Sequence, residues 1–238
     1  MIYMTKEEQI KEESVQFVKD NKKKIIQKII KESKVSIVDN PESYFMAGAP
    51  GAGKTEFSKK LIKWLKVPCV RIDADEIRAI IPQYNGSNSD LIQSAANIGV
   101  EKLHDYVLSK NFNYIMDSTF SNYDKQLDNI NRALNKGRAV IIFYIYQDPI
   151  IAWEFTKARE KIEGRKVPMD VFIDKYFNSI NTANKIKKHF GNDIVLKFIE
   201  KNVDNDVKKY KINVDRVDTS IKKKYTKELL DKSLRDVV

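Results

Sequence analysis

Tyr44-Phe45-Met46-Ala47-Gly48-Ala49-Pro50-Gly51-Ala52-Gly53-Lys54-Thr55 is the stretch whose reading decides the fold of this 238-residue chain. The apolar run at 44–47 reads as a strand that breaks into a glycine-rich loop, and residues 56–65 continue with helical spacing. Strand, loop and helix in that order are the setting in which Gly48-x-x-x-x-Gly53-Lys54-Thr55 cradles phosphates. Gly48, Gly51 and Gly53 let the backbone curl so that successive N–H groups point at an anion. The first turn of the following helix adds unpaired N–H donors and the positive end of a dipole. Lys54 supplies a point charge for the β- and γ-phosphates, and the Thr55 hydroxyl is placed for Mg²⁺. Gly48, Ala49, Pro50, Gly51, Ala52, Gly53, Lys54, Thr55 and Glu56 are therefore the expected nucleotide-binding segment. A tight turn with a surface lysine is the competing reading, and eight matched positions with the correct flanks weigh against it.

Working outward, the whole chain fits an α/β domain, with 42% hydrophobic residues to fill a core. The formal charge of +10 suits anionic partners, but it is dispersed. Lysine runs at 22–24, 185–188 and 222–224 read as solvated helix faces, which argues against nucleic acid as the partner. The lone cysteine, Cys69, excludes an internal disulfide framework and fits a reducing, cytoplasmic setting. No signal peptide is recognisable, and the longest apolar run, 139–146, has the length of a strand and not of a membrane span.

In chain order, residues 5–33 alternate charges with Ile10, Phe17, Ile25, Ile29 and Ile30 as an amphipathic helix does, with Asn21 as a point of interruption. Residues 67–73 form a second buried strand ending in Asp73-Ala74-Asp75-Glu76-Ile77-Arg78. Ligand chemistry in open α/β sheets collects at the carboxyl ends of strands, so Asp73, Asp75 and Arg78 are candidate site residues. Asp75 is placed to take a proton from a substrate hydroxyl, whereas Asp73 is open equally to capping the next helix. Residues 82–89 are a polar loop and 90–110 a long helix. A third strand at 114–119 ends in Asp117, an apolar run plus aspartate that suits a Mg²⁺ ligand, direct or through water.

Residues 123–136 read as a helix stopped by Gly137, and 139–146 as a central parallel strand. Asp148-Pro149 opens a helix through residue 160. Arg159 and Arg165 lie on and just after its end, either clamping a migrating phosphoryl group or satisfying the helix dipole. A helix at 169–190, a strand at 194–199, an edge strand at 210–214 and a helix at 222–237 complete the chain. The element order predicts a three-layer parallel sheet of the P-loop NTPase, adenylate-kinase-like kind. Its parts are a helical segment (1–40), a kinase core (41–201) and a strand–helix extension (202–238) in one structural domain.

The ordered set of the 47–55 loop, Ile72-Asp73-Ala74-Asp75, Glu101, Asp117-Ser118-Thr119, Arg159, and Arg165 before Pro168 resembles the zeta toxins of bacterial toxin–antitoxin systems over residues 40–200. That resemblance implies transfer of the γ-phosphoryl of ATP or GTP, with Mg²⁺, to UDP-N-acetylglucosamine at its 3′ hydroxyl. It further implies Asp75 as general base, Lys54 and Thr55 as phosphate and Mg²⁺ ligands, and Glu101 and Thr119 as sugar contacts. Arg159 and Arg165 would clamp the phosphates, and a small antitoxin protein would block the nucleotide site. The chain departs from the family at Asp117, where Glu is common, and at Asn129, where Thr is common, both positions that bear on the acceptor. A nucleic-acid-end or nucleoside kinase, and a nucleotide-gated protein-binding module, are the competing readings. An Asn-Lys-x-Asp base-reading motif of switch GTPases is absent from the sequence.

Overall fold

A computed structural model of the chain describes residues 4–65, 68–202, 204 and 206–236. Helix α1 (Lys6–Ser33) opens with a reciprocal cap in which the Glu8 N–H donates to Thr5 Oγ1 at 3.2 Å and the Thr5 N–H to the Glu8 carboxylate at 2.8 Å. Asn21 does not interrupt it. Its side-chain amide donates to the Phe17 carbonyl at 3.0 Å, one turn back, and the helix runs through.

β1 (Glu42–Ala47), α2 (Lys54–Trp64), β2 (Val70–Asp73), α3 (Ala74–Arg78), α4 (Gln93–Ser109), β3 (Tyr114–Asp117) and α5 (Tyr123–Leu134) follow in order. Then come β4 (Ala139–Tyr146), α6 (Pro149–Glu163), α7 (Met169–Phe190), β5 (Ile194–Lys201), β6 (Val207–Lys211) and α8 (Lys227–Arg235). The sheet order is β2-β3-β1-β4-β5-β6. The first five strands are parallel, which places β1 and β4 centrally and explains why β4 is apolar on both faces. β6 is antiparallel to β5, because the short connection between them has no room for a crossover.

Several boundaries move from their sequence positions. β2 begins at Val70, after Pro68, which has no N–H to give a ladder; Lys66 and Val67 lie outside the described residues. α4 starts at Gln93, β6 at Val207 instead of residue 210, and α8 at Lys227, where the Thr226 hydroxyl accepts from the Leu229 N–H at 3.2 Å. Val237, expected in that last helix, lies outside the described residues.

Coverage of the two faces is unequal. The large core gathers residues of α1 and α3–α8 against one face. On the other, among the described residues, α2 alone supplies helical core residues, Phe57 and Leu61, over Tyr44, Met46, Phe143, Ile145 and Ile199. Helices thus lie on both faces, as the three-layer expectation has it, with a full layer on one side and α2 on the other.

Buried Arg138, just before β4, ties the amino ends of the strands together. Its Nε donates to Ser43 Oγ at 2.7 Å, Nη2 donates to the carbonyls of Glu42 (3.1 Å) and Phe112, and the guanidinium sits 5.0 Å from the Tyr114 ring centroid. Removal would leave several buried acceptors unpaired, each costing about 1–3 kcal/mol. Arg138→Ala is therefore expected to lower the unfolding free energy by about 3 kcal/mol or more in a urea titration.

Candidate active site

The phosphate loop is held by what it passes. The Gly48 N–H donates to the Thr119 carbonyl at 3.3 Å, joining the end of β1 to the segment after β3. A Cβ on Gly48 would lie 2.2 Å from the Ile145 carbonyl oxygen of β4. At Gly51, where φ is +72°, a Cβ would lie 1.9 Å from the Ala152 carbonyl oxygen of α6 and 2.6 Å from Thr156 Oγ1. Backbone fills the space that a side chain would need, so glycine is a steric requirement at both positions. Gly53 then leads directly into α2 without a side-chain cap, leaving the first N–H groups of the helix free to meet an anion.

Lys54 folds back on its own loop and donates to the Ala49 carbonyl at 2.6 Å. Burial pulls its pKa down to about 8, with Asp117 acting upward and Lys175 and Arg159 downward. An arriving phosphate would reverse that balance. Thr55 is half-buried beside Lys54, and Glu56 is exposed on the first turn of α2.

Asp73 and Asp117 end neighbouring strands and stand opposite each other in the parallel register. Asp73 caps α3 by accepting from the Asp75 N–H at 2.8 Å, so the capping reading applies. It also does more than cap. Arg71 Nη1 donates to Asp73 at 2.7 Å and to Asp117 at 3.0 Å, while Arg71 Nη2 donates to Glu76. Ser58 Oγ of α2 adds a hydrogen bond to Asp117 at 2.9 Å. Burial and the Asp117 carboxylate push the pKa of Asp73 up to about 6, against the pull of Arg71. Two buried carboxylates with one guanidinium leave negative charge beside the loop that needs a cation.

Asp75 lies at the centre of a cationic cluster. Arg165 Nη1 donates to both carboxylate oxygens at 2.6 Å, Arg159 Nη2 donates at 3.1 Å, and Arg78 Nη1 is a third donor. Burial would raise its pKa, but the guanidiniums of Arg165, Arg78 and Arg159 outweigh that and hold it below the usual aspartate range. Arg78 is 2% exposed and also bonds Gln93 of α4. Lys175 of α7 completes the cluster, its pKa lowered by burial and by Arg165 and Arg78.

The remaining candidates lie apart from this centre or touch it through backbone. Thr119 lends its carbonyl to the loop, and its hydroxyl pairs with Ser121 at 2.9 Å. Glu101 of α4 is bridged to α5 by Lys125 at 3.2 Å and Arg132 at 3.3 Å, with no contact to the Asp75 cluster. Asn129 is 2% exposed on the inner face of α5.

Arg71, Ser58 and Lys175 escaped the sequence reading. Arg71 had a usable signal: two positions before Asp73 on one strand, it shares a strand face with that carboxylate. Lys175 had none, because a lysine on an amphipathic helix reads as solvated surface.

The chain is similar to a chain of the PezAT chromosomal toxin–antitoxin system of Streptococcus pneumoniae, with 16% identity, a TM-score of 0.66, and coverage of 92% of this chain and 93% of that one. It is also similar to the AvrRxo1-ORF1:-ORF2 structure with ATP, with 12% identity, a TM-score of 0.57, and coverage of 82% of this chain and 64% of that one. At such identities these likenesses concern the fold alone. No curated protein matches the chain by sequence. The zeta toxin family model, however, matches residues 11–215, most of the chain from α1 through the turn after β6, and the chain belongs to the zeta toxin family.

Proposed function

We propose that the protein is a kinase that transfers the γ-phosphoryl group of a nucleoside triphosphate to a hydroxyl of a UDP-activated amino sugar, UDP-N-acetylglucosamine in the first instance, as the toxin of a toxin–antitoxin pair. One observation carries the reading most: Arg159 and Arg165 reach from α6 and the segment after it to the Asp75 carboxylate, at 3.1 and 2.6 Å, and the charge of Arg159 also acts on Lys54. Candidate base and phosphate cradle thus share the charge of Arg159.

With a triphosphate in the loop, Lys54 leaves the Ala49 carbonyl for the β- and γ-phosphates. Arg159 and Arg165 turn from Asp75 to the γ-phosphoryl oxygens, where they offset charge as it spreads in the transition state. Relieved of the guanidiniums, the half-buried Asp75 carboxylate gains proton affinity. It accepts the proton of the acceptor hydroxyl as that oxygen bonds to phosphorus. The bond from phosphorus to the β–γ bridging oxygen breaks, releasing a nucleoside diphosphate and a phosphorylated acceptor.

The donors near the loop fit Mg²⁺: the Thr55 hydroxyl and the Asp117 and Asp73 carboxylates are hard oxygens with surplus negative charge. Among the described residues no group of three or more acidic, His or Cys side chains forms a metal cage, as suits an ion that keeps waters and binds largely through phosphates. When bound, Mg²⁺ would neutralise phosphate charge. An antitoxin protein is the expected partner, and no described helix is long and apolar enough to cross a membrane.

The decisive experiment supplies γ-labelled nucleotide and Mg²⁺ with UDP-sugars, nucleosides and oligonucleotides as acceptors. Label should appear on UDP-N-acetylglucosamine. Label on oligonucleotide ends or nucleosides alone would replace this reading with the corresponding kinase. Nucleotide binding without transfer to any acceptor would leave a nucleotide-gated binding module.

A further inference from the structure

α2 does not fill its face of the sheet. It packs over β1 and β3, and beside it β4, β5 and β6 floor a groove of about 530 Å³. Ile141, Phe143 and Ile199 line the floor, Trp64 of α2 stands at one side, and Val207 and Tyr210 of β6 stand at the other. Trp64, Val207 and Tyr210 are 63%, 46% and 47% exposed. Single exposed apolar side chains are ordinary, but a set that borders one concave apolar surface marks a place of interaction. From β4 to β6 the floor spans about 10 Å, close to the diameter of one α-helix. The groove is therefore the place of a second helix beside α2. No described helix of this chain is left to occupy it, because α1 and α3–α8 pack on the opposite face.

Lys197 decides which kind of helix fits. It shares a strand face with Ile199 and stands opposite Phe143 in the parallel register, in the middle of the apolar floor. Its ammonium lies 5.2 Å from the Phe143 ring centroid, and among the described residues no carboxylate lies within 4.0 Å of it. Glu42 is the acid among the described lining residues, and it accepts from the Tyr44 hydroxyl. The flanking elements have the same sign as Lys197. β6 carries Lys208, Lys209 and Lys211 with no acid, and α2 carries Lys59, Lys60 and Lys63 against Glu56. Among the described residues, Lys60 and Lys208 alone of these six pair with an acid, Asp206 at 3.9 Å and Glu200 at 3.4 Å. A second copy of this chain, laid like face to like face, would set lysine against lysine.

We infer that this groove docks an acidic amphipathic helix of another protein, its apolar face on the β4–β6 floor between Trp64 and Tyr210 and a carboxylate of that face against Lys197. Side chains one turn apart on such a helix meet the floor together, the usual manner of a helix seated in a groove. Covering Lys197 removes water around its ammonium, which makes a carboxylate there worth more than one at an open surface. Neither the phosphate loop nor Asp75 lines the groove, so the docked helix leaves the candidate active site open. The inference thus stands apart from the reaction proposed above.

Fluorescence anisotropy on the full chain tests it with two labelled helical peptides of about 18 residues. Both carry a leucine stripe and glutamate flanks; the centre of the stripe is glutamate in one and lysine in the other. A charge-assisted contact is worth about tenfold or more, so the wild type should bind the glutamate-centred peptide at least about tenfold tighter. Lys197→Glu should reverse that order, and Lys197→Met should erase it. Trp64→Ser and Tyr210→Ser, both at exposed positions, should each weaken the glutamate-centred peptide by about fivefold or more. Inorganic tripolyphosphate should leave peptide binding unchanged. Equal wild-type affinity for the two peptides, or binding of neither, would overturn the inference whether or not the variants fold. So would unchanged affinity in Trp64→Ser and Tyr210→Ser, or displacement of the peptide by tripolyphosphate, which would seat it in the phosphate cleft. A wild-type dimer in sedimentation that Trp64→Ser returns to monomer would overturn it too, because a second copy would then cover the groove.

Discussion

Asp75→Asn should retain nucleotide affinity and lose turnover by about 10²–10⁴-fold, the usual worth of a positioned general base. The substitution keeps shape and removes the ability to take a proton. It also removes the anion that three guanidiniums share in the unliganded protein, Arg165 at 2.6 Å, Arg159 at 3.1 Å and Arg78. Those arginines would then need no release from Asp75, so nucleotide binding should hold or tighten. A fall in kcat with an unchanged or lower dissociation constant for the nucleotide is the expected pattern. Near-normal turnover in this variant would dismiss Asp75 as the base.

The pH profile carries the same argument with a sign. In the free protein the pKa of Asp75 is lowered by its guanidiniums, so the carboxylate stays ionised below the normal aspartate range. Its contribution to stability is present above the unfolded value and is lost as pH falls through the lower folded value. The acid limb of kcat/KM, which reports the free enzyme, should therefore lie below the acid limb of kcat, measured after the arginines have turned to phosphate.

The parts of this molecule legible in its sequence are those fixed by local rules. A glycine pattern between a strand and a helix announces the loop, because the curl needs those residues in that order. Strand-end carboxylates mark the edge where the candidate site gathers, and β4 reveals its central place by being apolar on both faces. Contacts between elements distant in sequence were not legible. Arg71 joins Asp73 to Asp117, forty-six residues away, and nothing near Arg71 shows that a second carboxylate will be its neighbour. The grip of Arg165 on Asp75 spans ninety residues and exists because the chain after α6 returns over the ends of β2 and β3. How unevenly the helices divide between the two faces was hidden for the same reason. Whether a helix covers a sheet depends on the hand and length of each crossover, and the β5–β6 hairpin supplies none. Glu101 illustrates the reverse case: a carboxylate that draws attention in sequence spends its charge on Lys125 and Arg132.

Lys54→Ala should abolish detectable phosphoryl transfer, and it should do so through both binding and chemistry. Lys54 is the cation rooted in the loop itself, at the first residue of α2, so no rotation of a lid can substitute for it. In the unliganded protein its ammonium bonds, among the described residues, the Ala49 carbonyl at 2.6 Å, and burial has already lowered its pKa to about 8. A partly desolvated ammonium gains more from a phosphate than an exposed one does, because water has already been removed around it. Loss of one such electrostatic contact costs about 10²–10³ in kcat, and weaker ground-state binding adds to that in kcat/KM. Lys54→Arg is the informative companion. Gly48 and Gly51 pack against the carbonyls of Ile145 and Ala152, so the loop cannot widen around a planar guanidinium, and the charge-conserving variant should recover little activity. Full activity in Lys54→Arg would mean that charge alone suffices and that the tightness of the cradle is incidental. Activity in Lys54→Ala within tenfold of wild type would remove the loop from the reaction altogether.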